Sequence, residues 1–264
     1  MAVTEEDPAI IPCDDLDAAI EQYKASGYRL DMIFPADAPR EALVSKLGEQ
    51  LRLRVEKRCV SETPKPLHGR EGSWIKGRAG MEYRDLIPDR FGGKLIASHI
   101  RLTEGGEVAD YVHYHSIDFQ MIYCKLGRIR VVYEDQGRPF WLETGDCILQ
   151  PQGIRHRVLE CAAGAEVIEV SMPAEHETWV DHEVMLPTGK TEPDRDFEGQ
   201  RFVHHRATDD ECRDTGISSA TGGLADVRIK RENGQDTKLL LTLRGFGAKG
   251  NSLLTAPVTL EIAI

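Results

Sequence analysis

What the 264-residue chain lacks narrows its function before any motif is considered. No run approaches the roughly 18 apolar residues that a membrane-spanning helix needs, so no membrane partner is expected. No basic block is present either: 33 Lys and Arg stand against 44 Asp and Glu, a formal net charge of −11. Such a balance repels phosphate backbones and argues against nucleic acid as a partner. Met1 to Asp7 carry acidic side chains and no apolar stretch succeeds them, so no secretory leader is read and a cytoplasmic protein is expected. Paired cysteines are missing too. The six, at 13, 59, 124, 147, 161 and 212, show no metal-ligand spacing and sit mostly in apolar, strand-like runs. In a reducing compartment they read as small buried hydrophobes.

What is present is an ordinary soluble composition, 41% hydrophobic and 29% charged, in a chain long enough for a large core or two domains. The pattern is mainly β. Residues 1–60 read as a small α/β subdomain: a strand-like Ala9–Cys13, a helix capped by Asp14 or Asp15 and stopped by Gly27, a strand over Tyr28–Phe34, a short helical piece over Arg40–Leu47, and an alternating Leu51–Val55. Residues 61–80 are rich in Pro and Gly and read as a linker, with Trp74 able to pin it to the β-rich segment beyond. Residues 81–175 alternate like antiparallel strands, with a hairpin around Asp135-Gln136-Gly137. In Lys94–Leu102, either His99 and Arg101 or Ser98, Ile100 and Leu102 face inward. Residues 176–200 are irregular and acidic and read as a lid or interface arm, with His176 and His182 expected at the surface. Residues 201–264 read as a further β segment.

The residues able to do chemistry lie between 105 and 160. His113 and His115 stand two apart, so on a strand both imidazoles point to one face. Gln120 enters from the next strand. His156 comes after the turn residues Pro151 and Gly153. Four neutral N and O donors from three strands suit a divalent first-row metal, with imidazole nitrogens at about 2.0–2.1 Å. Alternation puts Tyr111 on the face of His113 and Glu160 on the face of His156, which makes both candidate proton-handling groups.

Gly106, His113, His115, Gln120 and Gly127 resemble the first motif of the cupin superfamily, and Gly145 to His156 matches the second motif, Gly-x5-Pro-x-Gly-x2-His, at every position. The first motif departs in two ways: six residues separate Gly106 from His113, and Gln120 replaces the usual glutamate. The resemblance implies a double-stranded β-helix, the jelly-roll barrel of cupins, with His113, His115, Gln120 and His156 as metal ligands. It also implies a homodimer, and it makes residues 201–264 a partial or degenerate second cupin segment without metal. The neutral Gln120 leaves the ion's charge uncompensated, giving a stronger Lewis acid and a weaker hold on the ion. Iron would support dioxygenase chemistry on a small organic acid or carbonyl compound. Zinc, nickel or manganese would support isomerisation, cyclisation or elimination, and a small-ligand-binding cupin without turnover is the third expectation. The order of elements in residues 9–55 resembles half of a glyoxalase-type module, without its ligand triad.

Overall fold

The computed structural model describes residues 7–56, 74–76, 81–87, 89–244, 254 and 256–264. Most of the expected linker therefore lies outside the described residues; its Trp74 lies within them, with its ring 4.0 Å from the Arg101 guanidinium carbon and 4.8 Å from the His99 ring.

Two β-sheets face each other across a buried interior. The first runs in the order Ala9–Cys13, Glu49–Val55, Glu41–Lys46, Arg29–Phe34, Glu177–Val180, His113–Ser116, His156–Cys161, Arg128–Tyr133 and Phe140–Glu143. The second runs Val203–His205, Cys147–Leu149, Phe119–Leu126, Ala165–Met172, Ile96–Leu102, Met81–Asp85 and Ile75–Lys76. Every pairing within the barrel portion is antiparallel. Alternation then gives each strand one face toward the other sheet. Ile100, Leu102, Ile129, Val131, Leu142, Ile148 and Val167 fill the space between the sheets as one apolar cluster. This is the jelly-roll barrel that the sequence motifs imply.

The amino-terminal elements continue the first sheet, because Met32 and Ile33 pair with Trp179 and Thr178. Their helix spans Leu16–Ala25, with the Asp15 carboxylate accepting the Ala18 amide at 3.0 Å, and it buries Leu16 and Ile20 against Leu30, Val44 and Leu53. The short helix expected over Arg40–Leu47 is a strand, Glu41–Lys46, which turns back into Glu49–Val55. Leu47 and Gly48 have φ of 49° and 86°. Two consecutive positive φ values make the mirror-image turn whose twist matches an antiparallel hairpin, and that turn outweighs the local helical spacing.

The tail forms an antiparallel meander of four strands, Cys212–Asp214, Ala225–Glu232, Gln235–Leu243 and Val258–Ala263. It lies on the outer face of the second sheet. Phe119, Met121, Tyr123, Val170 and Met172 of the barrel meet Val227, Ile229, Leu239, Leu241 and Leu243 of the meander in a single core. The buried Arg213 guanidinium sits at this junction, paired to Asp236 and donating to the Gly145 carbonyl. Cys124, Cys147 and Cys161 are buried free thiols, and burial pushes Cys124 and Cys147 up to about 12. That fits packing in the apolar clusters they belong to.

Candidate metal centre

His113 and His156 are register partners on neighbouring strands, and His115 lies two residues along from His113 on the same face. The turn at Pro151–Ile154 delivers His156: Gly153 takes φ +71° and its amide donates to the His115 carbonyl at 3.3 Å. One nitrogen from each of the three imidazoles falls within 4.8 Å of the others, and all three residues are buried.

The second nitrogen of each ring is held by a hydrogen bond, and for two of the three the partner fixes the tautomer. His113 Nδ1 lies 2.8 Å from the Tyr111 carbonyl, and His156 Nδ1 lies 2.9 Å from the Ile154 carbonyl. A carbonyl only accepts, so both Nδ1 atoms carry the proton and both Nε2 atoms keep a lone pair. His115 Nδ1 lies 3.0 Å from the hydroxyl of Thr178, its cross-strand neighbour. Metal-bound histidines are oriented in this way by a hydrogen bond at the far nitrogen. Imidazoles that present a ring nitrogen inward, as His113 and His156 do through Nε2 and His115 can, fit a divalent first-row ion.

Gln120 lines the same cavity from the second sheet. Its Oε1 accepts from Gln150 Nε2 at 2.6 Å, and Gln150 Oε1 accepts from the Tyr133 hydroxyl at 2.8 Å. A carbonyl oxygen has two lone pairs, so Gln120 keeps one for an ion. The Tyr133 ring stacks on His156 with centroids 5.5 Å apart. Burial, and then the charge of Glu169, hold its phenol well above the ordinary value, so it stays a donor. Sequence reasoning misses Gln150 and Tyr133. Gln150 comes two residues after Ile148 on the strand side of Pro151, and that alternation is the available signal.

Two further polar residues join the cavity. Glu169, whose Oε1 accepts from Ser171 at 3.0 Å, faces inward beside Val167. His176 is buried at 5% exposure, with its ring 5.2 Å from that of His115. The surface position expected for it is corrected by the strand Glu177–Val180, which lies beside His113–Ser116 and carries it inward. Burial holds the His176 imidazole below its usual value, in the neutral form. His182 stays away from the cluster, 2.9 Å from the Leu30 carbonyl.

Neither residue expected from sequence to handle protons reaches the cavity with its side chain. Tyr111 supplies its carbonyl to His113, and its ring, packed against the amino-terminal core, meets the His113 ring edge-on with centroids 5.7 Å apart without lining the cavity. Glu160 points outward, 41% exposed and 3.6 Å from Arg130. The register explains it: Arg130 pairs with Glu160 but Val131 pairs with Val158, so a bulge at Leu159 reverses the alternation. Cys161 takes the inward place that strict alternation gives to Glu160. Along Ile96–Leu102, it is Ser98, Ile100 and Leu102 that face the cavity. His99 points to the other side, 2.8 Å from Glu166.

The 173–200 segment is strapped to the barrel by ions. Arg155 pairs with Asp181 at 2.9 Å, Arg195 pairs with Glu134 at 2.9 Å and also with Asp135, and Thr188 donates to Asp135 at 2.7 Å. Arg155, next to His156 in sequence, therefore faces this strap.

No family model matches the chain, and no curated protein matches it. Solved structures do. KdgF from Halomonas sp. is 19% identical with a TM-score of 0.32, over 39% of this chain and 89% of that one. An RmlC-like cupin from Shewanella frigidimarina is 24% identical with a TM-score of 0.33, over 42% of this chain and 93% of that one. Oxalate decarboxylase from Bacillus subtilis is 15% identical with a TM-score of 0.36, over 68% of this chain and 59% of that one. Similarity at this level carries nothing about activity. This chain's own three-histidine cluster, set between two facing antiparallel sheets, fits the metal site that the sequence motifs imply.

Proposed function

We propose that this protein is a metal-dependent enzyme acting on a small carbonyl compound, with His113, His115, His156 and Gln120 holding a divalent ion. The observation that supports the reading is the hydrogen bond held by each of the three Nδ1 atoms beside a cluster of ring nitrogens within 4.8 Å of one another, which leaves the opposite nitrogens available to an ion. A bound ion would supply Lewis acidity toward a substrate oxygen or, as iron, a centre for dioxygen chemistry.

The chain's own groups favour proton transfer. Glu169 places a carboxylate in the cavity, where it can take a proton from carbon or oxygen. Tyr133, through Gln150, holds the Gln120 amide in place. Because all four ligands are neutral, none offsets the ion's charge, which strengthens its pull on a substrate oxygen. Isomerisation, cyclisation or elimination is therefore the reaction class this geometry supports best.

A dioxygenase with iron is the second reading. The apolar wall of Ile122, Ile148, Val158 and Val167 around the cluster favours it, since dioxygen partitions into apolar space. A homodimer and a cytoplasmic location complete the proposal. Among the described residues no helix is long and apolar enough to cross a membrane.

Turnover of 1,2- and 1,3-diketones and catechols, followed with and without dioxygen after metal analysis, tests the assignment. Anaerobic turnover with zinc, nickel or manganese bound supports the first reading. Oxygen uptake with iron bound selects the second. Binding without turnover under either condition rejects both.

A further inference from the structure

One part of the cavity wall is built by the amino-terminal segment, through Ala36 and Asp37, and by His176, whose ring lies 5.2 Å from that of His115. The two pieces are joined by the Ala36 amide, which donates to the His176 carbonyl at 3.1 Å. Two buried acceptor atoms in this wall have no hydrogen-bond partner among the described residues: His176 Nε2 and Asp37 Oδ1. His176 Nδ1 donates to the Pro173 carbonyl at 3.2 Å, so in the neutral ring Nε2 carries a lone pair. Asp37 Oδ2 accepts from Arg90 at 2.8 Å, which leaves Oδ1 as the uncommitted oxygen. Buried acceptors of this kind cost stability unless a donor reaches them.

The rest of the lining restricts what that donor can belong to. The carboxylates of Asp37, Asp110 and Glu169 line the cavity, and no Lys or Arg does so among the described residues. Arg90 stands behind Asp37 and is committed to it and to Asp85 at 2.9 Å. Among the described residues of this lining, an anion would meet no counter-charge except an ion at the histidine cluster. The remaining wall is mostly aliphatic, with Ser98, Tyr83, Tyr133 and Gln150 as uncharged polar members, and the cavity volume is about 130 Å³, close to the roughly 150 Å³ of an engineered cavity that takes benzene.

We propose that this cavity selects an uncharged substrate of about benzene size bearing a hydroxyl group, whose one proton is donated to His176 Nε2, with Asp37 Oδ1 left to accept from a second donor on the substrate or from water. His176 and Asp37 are then specificity-determining binding residues, and the amino-terminal segment is part of the substrate site. The proposal rests on the function proposed above only for the metal end of the cavity. Between the acid and the carbonyl compound expected from sequence, it favours the uncharged one.

The test uses four probes of one size, toluene, benzyl alcohol, benzaldehyde and benzoate, titrated by calorimetry into the full-length protein, once metal-free after chelation and once zinc-loaded. In the metal-free protein benzyl alcohol is expected to bind about 3- to 10-fold tighter than toluene, the worth of one hydrogen bond, with benzoate weakest. His176→Leu brings benzyl alcohol down to the toluene value while leaving toluene unchanged, which shows the cavity intact. In Asp37→Asn, Arg90 retains the amide oxygen and the Oδ1 position becomes an NH2 donor, so preference moves from benzyl alcohol toward benzaldehyde. No binding by any probe, equal binding of toluene and benzyl alcohol, benzoate as the tightest metal-free ligand, or an alcohol preference that survives both substitutions would each overturn the proposal. Zinc binding with no alcohol preference sinks this inference alone. An alcohol preference in a protein that takes up no zinc sinks only the metal assignment.

Discussion

The two faces of the strand Phe119–Leu126 are both buried, yet they do different work. On one face Phe119, Met121 and Tyr123 enter an apolar core with the carboxyl-terminal meander. On the other, Gln120 and Ile122 line the metal cavity. The neighbouring strand Ala165–Met172 repeats the division, with Ile168, Val170 and Met172 outward and Val167 and Glu169 inward. Covering the outer face with a second sheet frees the inner face from supplying all of the barrel's apolar burial. The inner face can then carry Gln120, Gln150, Glu169 and three histidines, polar groups that would weaken a barrel relying on one core.

This division predicts that damage on one face leaves the other's function intact. The largest effect belongs to the outer face: Met121→Ala removes a fully buried side chain and is expected to cost about 2–5 kcal/mol in denaturant unfolding. Metal affinity in the folded fraction should not change. A loss of metal at equal occupancy of the folded state would break the comparison. On the inner face, Tyr133→Phe removes the hydroxyl that holds Gln150 and, through it, Gln120. Loss of such an orienting contact is expected to weaken metal binding by about 10-fold, read by competition with a chelating dye, with unfolding shifted by only about 1 kcal/mol.

A third test addresses the seam between the barrel and the strand Val203–His205. Asp146 is buried, which by itself raises its carboxyl pKa. His204 and the amides of Ala207 and Glu143 more than offset that, and the net result lies below the usual value. A depressed folded-state pKa contributes stability that is present above the unfolded value near 3.9 and is lost as pH falls through the folded value. Asp146→Asn should therefore lower stability by about 1–3 kcal/mol at pH 7, with the gap to wild type closing below pH 4. A gap that widens in acid would reverse the sign. The smallest effect is expected at Glu160, exposed and paired with Arg130 across 3.6 Å. Glu160→Gln should change stability by less than about 0.5 kcal/mol and leave turnover unaltered. A large loss of activity there would return Glu160 to the cavity.

The histidine cluster is legible in the sequence because its geometry is local. A two-residue spacing puts His113 and His115 on one face whatever the strand's neighbours are, and the Gly-Pro-Gly spacing before His156 carries its own turn. Residues whose direction depends on longer-range register are harder to place. Strict alternation points Glu160 inward, and a single bulge at Leu159 reverses it. Glu169 alternates with Val167, but only pairing with Ile122 and Ser98 shows which face of that strand meets the cavity. His176 sits in a segment without regular spacing, and its burial comes from Glu177–Val180 joining the first sheet, a contact 63 residues along the chain from His115 to Thr178. The expected helix over Arg40–Leu47 gives way for a related reason, since the Leu47–Gly48 turn and the partner strand Glu49–Val55 decide that segment.

The central claim is that His113, His115 and His156 grip one ion inside the barrel, and elemental analysis of the full-length protein purified without added metal, beside His156→Ala, tests it most directly. The account expects about one divalent first-row ion per wild-type chain, its removal by chelator lowering the melting temperature, and affinity falling about a hundred- to a thousand-fold in the variant. A wild-type chain that stays empty in excess zinc, iron, nickel and manganese, or a variant that binds metal as tightly as wild type, would contradict it.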